Sequence, residues 1–298
     1  MHIIPNVEEG GFLVFDIQGE KVALVTDTSC DLSDEQLARY DISMVSLRVV
    51  ASTGEFRDRT EINQEEMYDL LKTELPKTSL PLPEDITALY GSLRDRGCTR
   101  VLHISISAGL SGTYNMCRML AEEAEGIRVD VVDSRTLSCG LGLLVLTAAE
   151  MLEAGHPVEE VIAALEEKRK TQLGCFVIRT LEYLRKGGRI GLVEGVVGSI
   201  LQIKPVIYVN PDGVYQTLNK ARGFGNAIET MFMEFVRRYQ GRPVRLAVVH
   251  GNSLADAEKF LERLKEKLDV CSAFISPVSP VLAIHTGPGL VGAIVQDA

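Results

Sequence analysis

The chain has few basic residues for its number of acidic ones. It carries 31 Lys and Arg against 41 Asp and Glu, which gives a net charge of −10 over 298 residues. We therefore expect no nucleic-acid partner, because phosphate backbones select basic protein faces. The hydrophobic content of 46% and charged content of 24% are ordinary for a globular protein that can bury a full core. At about 100–200 residues per domain, this length predicts one large or two modest domains.

Signals for metal sites, disulfides and membrane spans are also missing. None of the six cysteines belongs to a Cys-x-x-Cys pair or lies near a histidine at ligand spacing, so we expect buried free thiols. The longest apolar segment, GLGLLVLTAA (140–149), is too short for a membrane span of about 20 residues. The opening MHIIPNVEEGGF lacks the basic flank and apolar stretch of a signal peptide. We expect a cytoplasmic protein with no stable membrane insertion.

Apolar runs alternate with amphipathic segments in the first half of the chain. The runs that predict buried strands are KVALVTD (21–27), ISMVSLRVV (42–50), VLHISIS (101–107) and VDVVDS (129–134). Helices are predicted between them, including one over 63–75 that the proline-containing KTSLPLPEDI (77–86) ends. This alternation predicts a mostly parallel sheet covered by helices. The polar loops TDTS, SAGLSG and DSRT would lie at the carboxyl edge of that sheet, where ligands bind.

The second half predicts a mixed α/β domain. Two apolar runs flank Pro211–Asp212–Gly213, which predicts a hairpin turn. LVEGVVGSIL (192–201) predicts a helix whose small residues Gly195, Gly198 and Ser199 either line an apolar slot or allow close packing. We place the domain boundary near Gly155–His156. The prediction is a two-domain α/β protein with domains over 1–155, including an extension over 1–20, and 156–298.

The loop SAGLSG (107–112) directly precedes a predicted helix. Helix N-termini offer free N–H groups to anions, and Gly109 and Gly112 would let the backbone approach one. Ser111 would either donate its hydroxyl to the anion or cap its own helix. The loop has neither a P-loop nor a GxGxxG pattern. It also departs from the nucleophile elbow G-x-S-x-G, since Thr113 replaces the last glycine. A carboxylate is the third candidate anion, and its binding requires only hydroxyl and N–H donors.

Taken together, these loops resemble the DegV family of bacterial fatty-acid-binding proteins. The resemblance runs from about Lys21 to Gln296. The motifs in the family's order are TDTSCDL (26–32), KTSLP (77–81), ISAGLSGTY (106–114), VDS (132–134), LEYLRKGGRIG (181–191), GSILQIKPVI (198–207), the Arg222 region and HTGPG (285–289). Leu82 and Ala108 stand where the family more often has serine, and the first loop reads Asp-Thr-Ser instead of Asp-Ser-Thr.

The resemblance implies a non-enzymatic protein, with no cofactor, that holds one long-chain fatty acid between two domains. The expected carboxylate-binding residues are Thr78, Ser79, Ser111, Gly112, Arg189 and His285. Some family members are the binding subunit of fatty acid kinase. They present the acyl carboxylate to a separate ATP-dependent subunit, which makes acyl-phosphate for phospholipid synthesis. Such a kinase subunit is therefore a possible partner of this chain.

Two other functions are open from the residues alone. Ser111 and His285 could form a serine acyl-hydrolase, although no acid partner is obvious. A phosphotransferase would need its own nucleotide site, for which the sequence has no signature. His285 is expected at the end of a strand. Asp27 and Asp133 are expected to accept hydrogen bonds within their loops and not to act as acids or bases.

Overall fold

A computed structural model describes residues 14–193 and 203–298. Most of the predicted helix over 192–201 lies outside these ranges. The small residues considered for an apolar slot, Gly195, Gly198 and Ser199, lie outside them too, as do residues 1–13 of the expected extension.

Strands and helices are interspersed along the described parts of the chain. The strands are β1 (Phe15–Ile17), β2 (Glu20–Asp27), β3 (Ser43–Val45), β4 (Arg48–Ala51), β5 (Gly54–Arg57), β6 (Lys77–Ser79), β7 (Arg100–Ser105), β8 (Arg128–Asp133), β9 (Leu173–Val177), β10 (Ile203–Val209), β11 (Tyr215–Arg222), β12 (Pro243–His250), β13 (Asp269–Pro277) and β14 (Val291–Asp297). The helices are α1 (Asp34–Arg39), α2 (Gln64–Leu70), α3 (Pro83–Asp95), α4 (Thr113–Glu122), α5 (Cys139–Glu153), α6 (Val158–Thr171), α7 (Glu182–Lys186), α8 (Phe224–Tyr239), α9 (Leu254–Lys265) and α10 (Pro280–Thr286), and a short 3-10 turn covers Thr28–Cys30.

The first sheet is mostly parallel, as predicted. β2 pairs in parallel with β7 and, at its end, with β3, and β7 pairs in parallel with β8. β1 is the antiparallel exception and pairs with the first residues of β2. Residues 1–20 were predicted from the sequence to be an extension, so this strand was missed. Because β2, β7 and β8 run the same way, their carboxyl ends meet at one edge, and the three polar loops follow there.

The second sheet is mixed and has the order β11-β10-β9-β14-β12-β13. β12 and β13 are parallel, and the other neighbouring strands are antiparallel. β10 and β11 form the predicted hairpin around Pro211–Asp212–Gly213. Asn210 holds the turn, because its side-chain oxygen accepts the N–H groups of Asp212 and Val214. The described strands of the two large sheets fall on opposite sides of Gly155–His156, and the division into two domains there stays a prediction.

A small antiparallel sheet of order β5-β4-β6 corrects two predictions. The run 42–50 was predicted as one strand, but it forms β3 in the first sheet and β4 in this one. The chain leaves β3 at Ser46–Leu47, where the N–H of buried Leu47 donates to the Thr28 hydroxyl at 3.2 Å. The residues KTS (77–79) belong to the proline-containing stretch that was predicted to end a helix. They instead form β6, which pairs with β4.

The longest apolar segment of the sequence, 140–149, is part of helix α5, and its apolar character is explained by the burial of this helix. It contacts β7 of the first sheet and β12 and β14 of the second, and most of its side chains are buried. A helix enclosed in this way is apolar on all sides. Among the described helices, none combines the length and apolar character that a membrane span requires.

The helix termini follow local sequence signals in part. Ser33 and Gln36 have the spacing of a capping box and form one at α1, and Asn63 with Glu66 forms another at α2. The helix predicted over 63–75 is wrong at its end, since α2 stops at Leu70 and turns continue to Thr73.

Candidate functional site

The loops at the carboxyl edge of the first sheet are organised by two aspartates. The carboxylate of buried Asp27 accepts the Ser29 and Ser105 hydroxyls and the N–H groups of Ser29 and Ile106. Burial raises the pKa of Asp27, and these donors oppose the rise. Asp133 accepts the N–H groups of Ala108 and Arg135. Both aspartates therefore hold loops together, as the sequence predicted.

The SAGLSG loop is fixed against the hairpin turn. The Ser107 hydroxyl donates to the Gly213 carbonyl at 2.8 Å. A Cβ added at Gly109 would lie 2.7 Å from Val214 Cγ1 and 2.9 Å from the Gly213 carbonyl oxygen. Packing against the turn therefore requires glycine at position 109, and its expected approach to an anion stays a prediction.

Ser111 contacts the start of its own helix and also faces a cavity. Its Oγ lies 2.8 Å from Thr113 Oγ1 and accepts the Thr113 N–H at 3.3 Å, so it binds the first turn of α4. The same side chain lines a cavity. Gly112 is the N-cap residue of α4 and is exposed, and it does not line that cavity.

Thr78 and His285 meet although they are far apart in sequence. β6 carries Thr78, and α10 carries His285 in its last turn, so the expectation that His285 ends a strand is wrong. Thr78 Oγ1 lies 3.1 Å from His285 Nε2. Burial and, second, the nearby Arg189 cation lower the pKa of His285 to about 4. The imidazole is therefore neutral at pH 7.

Arg189 reaches the same place from the loop after α7. Its guanidinium donates to the carbonyl oxygens of Gly187 at 2.8 Å and Leu110 at 3.5 Å. Within the described ranges it forms no salt bridge, so its charge is available to a ligand. Gly187 must be glycine here, because an added Cβ would lie only 2.2 Å from His285 Nδ1.

These side chains line one cavity of about 220 Å³ between elements of both halves of the chain. Five of the six predicted site residues contribute to it: Thr78, Ser79, Ser111, Arg189 and His285. The rest of its lining was missed by sequence reasoning and is mainly apolar: Leu47, Leu80, Ile106, Leu110, Leu137, Tyr215, Val281 and Leu282. The cavity thus has hydroxyl, guanidinium and imidazole groups among apolar walls.

An apolar chamber of about 40 Å³ adjoins this cavity. Leu137, Tyr215 and Leu282 line both spaces. Beyond them the chamber is lined largely by side chains of the second sheet, including Phe176, Val249 and Ile294. The apolar part of an elongated ligand with one polar end would therefore extend from the cavity toward this chamber.

The hydrolase geometry is not formed in this structure. Ser111 Oγ is hydrogen bonded to Thr113 and His285 Nε2 to Thr78, so no bond joins Ser111 to His285. The remaining imidazole nitrogen, Nδ1, has no hydrogen-bond partner among the described residues, whereas a triad needs an orienting acid there. Over the same residues no group of three or more metal-binding side chains is found.

Comparisons with known proteins agree with this architecture. A family model described as "Uncharacterised protein, DegV family" matches residues 21–297. A DegV domain-containing protein of Clostridium acetobutylicum is 36% identical over 280 residues, which cover 93% of this chain and 99% of that protein. A fatty acid-binding protein of Thermotoga maritima is 32% identical, with 91% of this chain and 96% of that protein covered.

A solved structure shares the fold over almost the whole chain. It is of a fatty-acid-binding DegV family protein from Thermus thermophilus, with a TM-score of 0.86, 34% identity, and coverage of 93% of this chain and 99% of that one. The protein is thus of the mixed α/β class. Its cavity lies between the two halves of the chain and has polar side chains at one end. The chain belongs to the DegV family.

Proposed function

We propose that this protein binds one long-chain fatty acid, with the carboxylate at Thr78, Ser111, Arg189 and His285 and the acyl chain directed toward the apolar chamber. One observation carries the proposal: neutral donors and, within the described part of the chain, a single cation meet in a cavity that adjoins an apolar space. The descriptions of its relatives in Thermotoga maritima and Thermus thermophilus as fatty-acid-binding proteins support it. Ser79, next to Thr78 in β6, lines the cavity and is exposed, and Gly112, next to Ser111, is exposed.

The geometry suggests how the carboxylate is held. His285 Nδ1 packs against Gly187 without a hydrogen-bond partner among the described residues, so we place the ring proton on Nε2. Nε2–H then donates to Thr78 Oγ1, which leaves the Thr78 hydroxyl hydrogen free to donate to the carboxylate. Arg189 supplies the balancing positive charge.

The acyl chain would dominate the affinity and the polar groups would fix its orientation. Each buried CH₂ is worth about 0.8 kcal/mol, so a sixteen-carbon chain offers roughly 10 kcal/mol before ordering costs. A hydrogen bond to a charged acceptor contributes about 1.5–3 kcal/mol. Removing one hydroxyl should therefore weaken binding without abolishing it.

The test compares palmitate with its methyl ester, which lacks the carboxylate charge, on delipidated full-length protein. We expect Thr78→Val with Ser111→Ala to weaken palmitate binding by about tenfold or more per lost hydrogen bond. Binding of the methyl ester should change little. The matched control is Thr87→Val with Ser92→Ala, which removes two exposed hydroxyls on α3. Wild-type protein that binds no palmitate, and releases no fatty acid on denaturation in mass spectrometry, would refute the proposal.

We further propose that the bound carboxylate is presented to a separate ATP-dependent kinase subunit in the cytoplasm. Partial exposure of the loops that carry Thr78 and Ser111 supports access to the carboxylate. The six cysteines are all free thiols, which suits a reducing compartment. Acyl-phosphate formation from ATP and palmitate, catalysed by a bacterial fatty acid kinase subunit only when this protein is added, tests the proposal. Equal product without this protein would contradict it.

A further inference from the structure

A basic cleft lies apart from the carboxylate cavity. It has a volume of about 230 Å³ and shares no lining residue with that cavity. Its cationic side chains are Arg135 from the loop after β8, Arg169 and Lys170 from the end of α6, and Arg238 from α8. Among residues 14–193 and 203–298, no acidic side chain lines it. In a chain of net charge −10, this is a local reversal of sign.

Two of these four cations form salt bridges with glutamates, and two form none within the described residues. Arg169 and Lys170 each pair with a glutamate one turn earlier on α6, Glu166 and Glu167. The Nε of Arg169 is buried and has no hydrogen-bond partner among the described residues. Over the same residues, Arg135 and Arg238 form no salt bridge. The cleft therefore keeps guanidinium donors for a ligand.

The backbone around Arg135 is held in place. Arg135 has a left-handed φ of 49°, and its N–H donates to Asp133 at 2.9 Å. The hairpin turn packs on it, since a Cβ added at Gly213 would lie 3.1 Å from Arg135 Cα. Left-handed backbone at a non-glycine residue is costly and persists only where the surroundings enforce it. The cation is thus presented from a fixed loop.

We propose that this cleft binds a phosphate group, either of a soluble phosphate compound or of an anionic lipid headgroup. Planar guanidinium groups match phosphate oxygens with paired hydrogen bonds, and three of the four cations here are arginines. The turn at Asn210–Pro211 closes one wall of the cleft, so the ligand would enter a concave site. Thr136, Gly174 and Val209 line both this cleft and the apolar chamber, which places the phosphate site on the far side of that chamber from Arg189.

The experiment uses delipidated full-length protein in low-salt buffer free of phosphate and sulfate. Isothermal calorimetry with pyrophosphate tests a soluble source. Co-flotation with phosphatidylglycerol vesicles, compared with phosphatidylcholine vesicles, tests a lipid source. We expect saturable binding of pyrophosphate, of phosphatidylglycerol vesicles or of both. The double variant Arg135→Gln/Arg238→Gln should weaken it by about tenfold or more, because each lost contact is a hydrogen bond to a charged group.

The control variant is Arg118→Gln/Lys265→Gln, which removes the same net charge from exposed helical ion pairs outside the cleft. It should bind both probes like wild type. Binding of vesicles alone, lost in the cleft variant, supports the proposal and identifies a lipid source. Absence of binding to both probes, or equal weakening in both double variants, would overturn it. Palmitate binding should be unchanged in the cleft variant, so this result is independent of the fatty-acid site.

Discussion

His285 is a neutral side chain at the polar end of the cavity. Its pKa of about 4 means that it donates or accepts hydrogen bonds without carrying charge at pH 7. Of the residues that the structure describes, Arg189 is the one cation that lines this cavity. Arg189 would therefore balance the charge of a bound carboxylate, and Thr78 and Ser111 would set the geometry of its hydrogen bonds.

Replacing Arg189 with Gln should raise the pKa of His285. The Arg189 cation disfavours a second positive charge beside it, so its removal makes protonation of the imidazole easier. The pKa should stay below the ordinary value of 6.5, because burial is the larger cause of the shift. NMR titration of the His285 ring protons measures the effect. Arg185→Gln, which removes an exposed cation of α7, is the control and should leave the titration unchanged. An unchanged or lower pKa in the Arg189 variant would contradict this electrostatic account.

The residues of the polar end could be predicted from sequence, but their contacts could not. Ser111 was expected because its loop precedes a predicted helix, and Thr78, Arg189 and His285 were expected because their motifs resemble those of the DegV family. The Thr78–His285 contact spans 207 positions and depends on β6 and α10, neither of which was predicted. Strand β6 has only three residues and ends before Pro81, so its sequence carries no alternation of its own. The proline at the start of α10 and the HTGPG sequence at its end hid a seven-residue helix.

Helix α10 belongs to the second half of the chain and is hydrogen bonded to loops of the first half. At its N-terminus, Asp31 Oδ1 accepts the Ser279 N–H at 2.8 Å and Asp58 Oδ1 accepts the Val281 N–H at 3.1 Å. These carboxylates satisfy N–H groups that a helix leaves free in its first turn. Both aspartates are buried, and burial raises their pKa values to about 6 for Asp31 and about 7 for Asp58.

Asp58→Asn should change how stability depends on pH. The ordinary pKa of Asp58 is 3.8 and its folded pKa is about 7, so between these values the folded protein binds more protons there than the unfolded chain. The stabilisation from this proton is complete below pH 3.8 and is lost as pH rises through about 7. The Asn variant has no such titration, and its side-chain oxygen can still accept the Val281 N–H.

The free energy of unfolding of Asp58→Asn, relative to wild type, should therefore increase from pH 5 to pH 8. The slope is at most about 1.4 kcal/mol per pH unit for one proton. Urea unfolding at intervals across this range measures it. Asp212→Asn, a change at an exposed turn residue, serves as the control and should give a constant difference. A difference that stays flat for Asp58→Asn would show that this carboxyl does not titrate as described.

At the scale of the whole molecule, the cavity lies where loops and β6 of the first half of the chain meet α10 and β11 of the second half. The parallel strands β2, β7 and β8 and the three loops that follow them could be predicted, because each of these strands carries a clear apolar run that ends in polar residues. The lining of the cavity could not, because Leu47, Ile106, Leu137, Tyr215 and Leu282 come from separate elements and look like any core residues. Their common surface exists only once both halves are packed together.

Leu282 lines both the carboxylate cavity and the apolar chamber, so its size should set how far an acyl chain can extend. In wild type, each added methylene should tighten binding by roughly fourfold, which corresponds to about 0.8 kcal/mol. In Leu282→Phe the larger ring narrows this passage, so we expect octanoate to bind as in wild type and palmitate to bind much more weakly. A fatty-acid series from octanoate to palmitate, measured by displacement of a fluorescent fatty acid, should show affinity reaching a plateau in the variant. Leu264→Phe, a core change in α9 away from both spaces, controls for general overpacking. If both variants keep the wild-type slope, or Leu282→Phe weakens octanoate as much as palmitate, the acyl chain does not pass Leu282.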